Sequence, residues 1–308
     1  MRKIVYLDSE NSQPFSQLVL PMNRGYFDKL GETGQLAVGV EDEGRPAGLL
    51  IAGAVPALAN PGDVERARAT DHWEIKQIYV PPESRKAGNG RELLRTLAAL
   101  LCAQGVQQLS LTYALEEKRR KDVEAFLVRC GWPDPLTTAY QYRVTRSRVK
   151  SRWICPAGEE IRKYQLPAGV TITDFTTLTE REKTEVEEDP NLGYPAYLAP
   201  FDGYHLLYLE NSLLLRVNGA ITGWILAVKY GDHTVFYRGI FVKAEYRSAA
   251  YGLYLLAAAI RLQFAMGNEN AMFAVNVKNP TMRRWIDWML GGDYDYIWEI
   301  RTATKQLV

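Results

Sequence analysis

Histidine and cysteine are scarce in this chain. His72, His205 and His233 stand far apart, and Cys102, Cys130 and Cys155 include no close-set pair. That spacing argues against a zinc cluster or a disulfide frame, so the expectation is reduced thiols, a cytoplasmic setting and no metal. Net charge is nearly lacking too: 37 Lys and Arg against 36 Asp and Glu leave +1. Such a balance gives no electrostatic case for nucleic acid or an anionic membrane as partner. Long apolar runs are missing as well, since Arg261 and Gln263 interrupt the longest, short of the roughly 18 residues of a membrane span. Met1 leads into a strand-like segment, Lys3 to Leu7, rather than an apolar leader. What is present is bulk: 308 residues, 47% of them hydrophobic, enough for two domains of about 150 residues, each with a real core.

One pattern repeats. Arg85-Lys86-Ala87-Gly88-Asn89-Gly90 stands between an apolar strand and an amphipathic helix, and Arg247-Ser248-Ala249-Ala250-Tyr251-Gly252 stands in the same context 162 positions later (247 − 85). Ile78 and Ile240, Val80 and Val242, Gly90 and Gly252, and Gly105 and Gly267 keep that offset. A period near half the chain length predicts two copies of one domain, here 1–150 and 151–308, with the polar stretch 151–167 as linker region. Each copy has a hairpin: Gln35 to Val40 with Ala47 to Val55, then Ser212 to Val217 with Ile221 to Val228 around Asn218-Gly219. Strands at His72 to Val80 and Thr234 to Val242 lead to the repeated turns. Helices at Gly90 to Gln104 and Gly252 to Met266 follow, then strands at Gln108 to Thr112 and Ala271 to Val277. Helices Lys118 to Arg129 and Pro280 to Leu290 and strands Ala139 to Thr145 and Tyr296 to Thr302 close the two copies. The first copy alone carries a long loop, Pro56 to Asp71, a candidate binding loop.

The turns carry the chemistry. A glycine-bearing turn that starts a helix aims unpaired N–H groups, and the positive end of the helix dipole, at one anion. Gly88 and Gly90 allow the close approach and unusual φ this requires, and Arg85 adds a charge-assisted contact to phosphate. The second copy has Ala250 at the first glycine position and keeps Gly252.

This order of elements, and the run EIKQIYVPPESRKAGNGRELLRTL from Glu74, resemble the GCN5-related N-acetyltransferase (GNAT) superfamily over most of both halves. The resemblance implies an α/β (α+β) fold of two tandem GNAT-like domains, each a mixed, mostly antiparallel sheet splayed at its fourth and fifth strands and flanked by helices. It implies that the diphosphate of acetyl-CoA lies on Arg85, Lys86, Ala87, Gly88, Asn89, Gly90 and Arg91, and that the pantetheine arm runs along Ile78, Tyr79 and Val80. Glu74 stands where the superfamily often places its catalytic glutamate. An amine must lose a proton before attacking a thioester, and a positioned carboxylate accelerates such a step by about 10²–10⁴-fold. The competing reading of Glu74 is a solvated strand residue paired with Lys76. Its counterpart Phe236 transfers no proton. The tyrosine that many members use as general acid is replaced by Leu127 in the first half and falls around Ile286 in the second, which leaves the acid unassigned. Asn279 matches an asparagine that in the family contacts pantetheine, and serves equally as a helix N-cap.

The expected function is transfer of an acyl group, acetyl first, from coenzyme A to a primary amine on a small molecule or peptide in a ternary complex. The first half is the expected catalytic unit and the second a degenerate copy. Two alternatives stay open: the second half binds acyl-CoA around Val242 and Tyr251, or the chain is a non-catalytic binder on a retired transferase fold. Phe236, Leu127 and Ala250 favour the last, Glu74 the enzyme. An aminoacyl-transferring role lacks the basic surface that tRNA requires.

Overall fold

The computed structural model describes residues 2–20, 23–31, 34–55, 71–149, 166–201 and 204–307. Two compact units emerge: Met1–Thr138 with Ile300–Val308, and Ala139–Glu299. The loop expected over 56–71 and the linker region over 151–167 fall, except for Asp71 and 166–167, outside the described residues.

The first unit holds β1 (Lys3–Leu7), β2 (Gln35–Asp42), β3 (Arg45–Ala54), β4 (His72–Tyr79) and β5 (Gln108–Ala114), beside which runs the chain's last strand, β12 (Tyr296–Gln306). All neighbours pair antiparallel except β4 and β5. Glu43 and Gly44, at φ 51° and 76°, make the tight β2–β3 turn, and two positive φ values in a row match the right-handed twist of a hairpin. β3 is buried on both sides because its side chains alternate. Leu50 joins the cluster under helix α2 (Asn89–Ala103) and helix α3 (Glu117–Arg129), whereas Leu49 and Ile51 join Phe15, Leu18 and Phe27 on the other face. Phe27 belongs to the short helix α1 (Arg24–Phe27). Helix α2 follows from spacing: Leu93, Leu94, Leu97 and Leu101 fall on one face and are buried. Each such leucine contributes about 1.5–3 kcal/mol relative to exposure.

The second unit repeats the plan with β6 (Leu136–Thr145), β7 (Val170–Asp174), β8 (Leu213–Val217), β9 (Ala220–Lys229), β10 (Thr234–Val242) and β11 (Asn270–Asn276), in the spatial order β6-β11-β10-β9-β8-β7. Here β10 and β11 are the parallel pair. Asn218 and Gly219, at φ 50° and 84°, turn the β8–β9 hairpin. Helices α5 (Tyr251–Ala265) and α6 (Pro280–Leu290) cover one face, and α4 (Glu180–Glu188) belongs to the other. Asn279 caps α6 by accepting from the Met282 amide at 3.0 Å, and Gly291 at φ 57° ends it.

Both parallel pairs open. β4 pairs with β5 only from His72–Gln108 to Ile75–Leu111, although β4 continues to Tyr79. β10 pairs with β11 only from Thr234–Asn270 to Tyr237–Phe273, although β10 continues to Val242. A bulge sits at each parting point. Lys76 is the extra residue against β3 and Arg238 the extra residue against β9. The splayed, mixed, mostly antiparallel sheets expected of both copies are therefore present.

Candidate active site

Past each parting point a strand keeps N–H and C=O groups that its parallel neighbour no longer pairs. Such an edge can bond an extended, amide-bearing chain as a further strand would. Beyond the edge comes the repeated turn. Gly88 precedes α2 at φ 88°, ψ −1°, and Ala250 precedes α5 at φ 59°, ψ 16°; neither helix has a side-chain cap among the described residues. Both turns therefore offer the first amides of a long helix to an anion. Ala250 keeps this geometry without glycine, although the left-handed conformation costs a residue with Cβ about 1 kcal/mol. Each turn is tied to its strand in the same way: Arg85 Nε donates to the Val80 carbonyl at 3.0 Å, and Arg247 Nε to the Val242 carbonyl at 2.8 Å.

The expected first-half residues lie together. Ile78 and Tyr79 end β4 and Val80 follows, all three half-buried, and Arg85, Lys86, Ala87 and Gly88 are exposed in the turn. Lys86 adds a second left-handed residue at φ 62°. Asn89 is buried and donates to the Ser84 carbonyl at 2.9 Å; Gly90 and the exposed Arg91 begin the helix. Arg2 reaches into this turn, donating to the Ala87 carbonyl, with Asn89 Oδ1 at 3.3 Å. From α3, Phe126 lies so close to Gly90 that a Cβ there would stand 3.1 Å from the ring. Ile78, Val80, Tyr113 and Phe126 all pack against the first core.

Glu74 pairs with Lys76 and is half-buried, and the Lys76 ammonium lies 5.4 Å from the centre of the Tyr26 ring. The bulge behind them is held by residues that carry no sequence motif. Gln77, buried, donates to the Leu18 carbonyl at 2.7 Å and accepts from the Leu20 amide at 2.9 Å, and Asn23 donates to the Lys76 carbonyl at 3.1 Å. The acid positions are apolar as expected: Leu127 and Ile286 are both core. Tyr113 lies beyond the parting point on β5. Burial and then the Glu124 carboxylate push its hydroxyl up to about 12, so it holds its proton at neutral pH.

In the second unit the opening leads to space. A cleft of about 640 Å³ lies between Arg238, Gly239 and Ile240 of β10 and Ala274, Val275 and Asn276 of β11, and passes beneath the sheet between α5 and α6. At Gly252, the counterpart of Gly90, a Cβ would meet only Val242 at 3.6 Å and Ile240 at 3.9 Å among the described residues. Arg238 and Lys278 are the charged residues of the lining, and no described carboxylate belongs to it. Tyr197 and Leu198 close the far side of the bulge. Leu198 is held by Trp224 Nε1, which donates to its carbonyl at 2.9 Å, and it occupies the place a side chain on Gly239 would need.

A sheet that parts at its fourth and fifth strands, with a left-handed turn and a long helix after the fourth, twice in one chain, defines a GCN5-related transferase frame. The chain belongs to the acetyltransferase (GNAT) family, which it matches over residues 4–132 and again over 173–287. No curated protein gives a significant match. Among solved structures, a tandem GNAT protein from the clavulanic acid biosynthesis pathway is 16% identical with a TM-score of 0.71, over 100% of this chain and 99% of that one. A GCN5-related N-acetyltransferase from Sphaerobacter thermophilus is 15% identical with a TM-score of 0.62, over 99% and 96%. The glucosamine N-acetyltransferase region of a fungal multi-domain β-N-acetylglucosaminidase is 13% identical with a TM-score of 0.66, over 99% of this chain and 38% of that one. At these identities the likeness is one of fold.

Proposed function

We propose that this chain transfers an acyl group from coenzyme A to the nitrogen of a primary amine, with the pantetheine arm in the cleft of the second unit. The cleft between β10 and β11 carries the reading. When bound, coenzyme A supplies an acyl thioester. The amides that begin α5 would hold its diphosphate, and the edge of β10 past its last pair with β11, at Gly239 and Ile240, would bond the amides of the arm. Leu198, packed over Gly239, shields the bulge, where the acceptor nitrogen would attack. A C–N bond forms, the C–S bond breaks, and the thiolate leaves with the proton that the amine gives up. With no carboxylate in the described lining, the amine enters already neutral, so the rate rises with pH toward the pKa of the amine.

A second reading keeps catalysis in the first unit, on Ile78, Tyr79, Val80 and the turn from Arg85 to Arg91, with Glu74 as base. It is favoured by the carboxylate at the first bulge, where the second unit has Phe236. Thiol release with acyl-CoA donors from acetyl-CoA to octanoyl-CoA and a panel of primary amines, with the amide identified by mass, tests the transfer itself. An acceptor-dependent thiol signal is expected, and its absence for every amine would leave a non-catalytic binder. In the same assay Glu74→Gln is expected to keep the wild-type rate, and a loss of 10²-fold or more would favour the first unit.

A further inference from the structure

The cleft of the second unit is deeper than the arm of coenzyme A requires. The arm needs the edge from Arg238 to Ile240, yet the space continues under the part of the sheet where β10 and β11 are still paired. There it is lined by Leu256, Ile260 and Phe264 of α5, Val144 of β6, and Met289 and Leu290 of α6, all of them core residues. Leu256 to Phe264 covers eight helical rises, about 12 Å along the helix axis. Protein cores seldom leave voids larger than a water molecule, so an apolar space of this depth is built for an occupant. The polar groups at its floor are already satisfied: the Tyr237 hydroxyl donates to Gln263 Oε1 at 2.9 Å, and Gln263 Nε2 donates to the Asn268 carbonyl at 3.0 Å. Burial pushes the Tyr237 hydroxyl upward, so it carries no charge. A carboxylate or hydroxyl at the end of an acyl chain would find no partner there.

We infer that the donor is a medium-chain, methyl-ended acyl thioester whose hydrocarbon tail lies between α5 and α6, rather than acetyl-CoA. C–C bonds of about 1.5 Å advance an extended chain by about 1.3 Å per carbon, which gives the 12 Å path room for about nine carbons. The inference rests on the second-unit reading above and deepens it.

Calorimetric titration and thermal melting of the full chain with coenzyme A, acetyl-CoA, octanoyl-CoA and 8-carboxyoctanoyl-CoA test it. Each buried methylene tightens binding by up to about fourfold, so octanoyl-CoA should bind at least tenfold more tightly than acetyl-CoA and raise Tm further. The carboxylated analogue should lose that gain. Ala271, small and on the cleft wall, allows the tail space to be filled. Ala271→Leu should keep the affinity for unacylated coenzyme A, melt at or above the wild-type temperature, and lose the octanoyl preference. Equal affinity of the wild type for acetyl-CoA and octanoyl-CoA would overturn the inference and leave the second-unit reading intact. Binding of neither coenzyme A nor its thioesters would overturn both.

Discussion

Ala250 holds a left-handed backbone at φ 59° that its repeat counterpart Gly88 holds without steric cost. A retired turn would be free to relax, and this one has not. Ala250→Gly should therefore raise the stability of the second unit by about 0.5 kcal/mol, the relief of strain exceeding the added freedom of the unfolded chain. Gly88→Ala should lower that of the first by about 1 kcal/mol. Chemical denaturation of both variants checks the pair. Glu182 offers a pH test. Arg216 first, then the Thr179 amide, hold its carboxyl down at about 2. A carboxyl whose folded pKa lies below its unfolded one stabilises above the unfolded value, about 4.3, and that contribution fades as pH falls from there toward 2. The pair is partly solvated, so its worth is on the order of 1 kcal/mol. Urea melts between pH 7 and pH 3 should show the wild type losing about that much more than Glu182→Gln.

The elements were legible in the sequence where local chemistry dictates them. The leucine stripe of α2, the Asn218-Gly219 turn, Pro280 after Asn279 and each of the two repeated turns are local signals, and the structure puts an element on or beside each. Asn279 acts as the cap that its sequence context allows. Asn279→Ala should cost about 1 kcal/mol in melting experiments, whereas Asn279→Asp should cost little. The cleft was not legible. It depends on which side chains fail to meet, and no periodicity encodes that. A Phe126 ring 3.1 Å from a Cβ at Gly90, against ordinary contacts of 3.6 and 3.9 Å at Gly252, distinguishes two turns whose sequences read alike. Gln77 and Asn23, which lock the first bulge, likewise look like ordinary polar residues until β4 and the segment before α1 are brought together.

At the scale of the whole molecule, the last strand pairs with β5 from Ile300–Ala114 to Gln306–Gln108, whereas β6 pairs with β11. Propensity marks terminal strands near 139–145 and 296–302, but it carries no information about the neighbour each one takes, because any β-rich segment satisfies an open edge. Ala303 and Leu307 are buried in the first core. A chain ending at Glu299 should therefore lose amide-exchange protection along β5, and the first unit should melt at a lower temperature. Two similar units also frame the central question, which one holds coenzyme A. An aspartate at a turn sets a charge against the diphosphate, and at Gly252 the structure leaves room for its Cβ. Titrating coenzyme A into the wild type, Gly88→Asp and Gly252→Asp compares the two turns directly. Gly88→Asp should keep wild-type affinity and Gly252→Asp should lose at least tenfold; loss in Gly88→Asp with Gly252→Asp unchanged would contradict coenzyme A binding in the second unit.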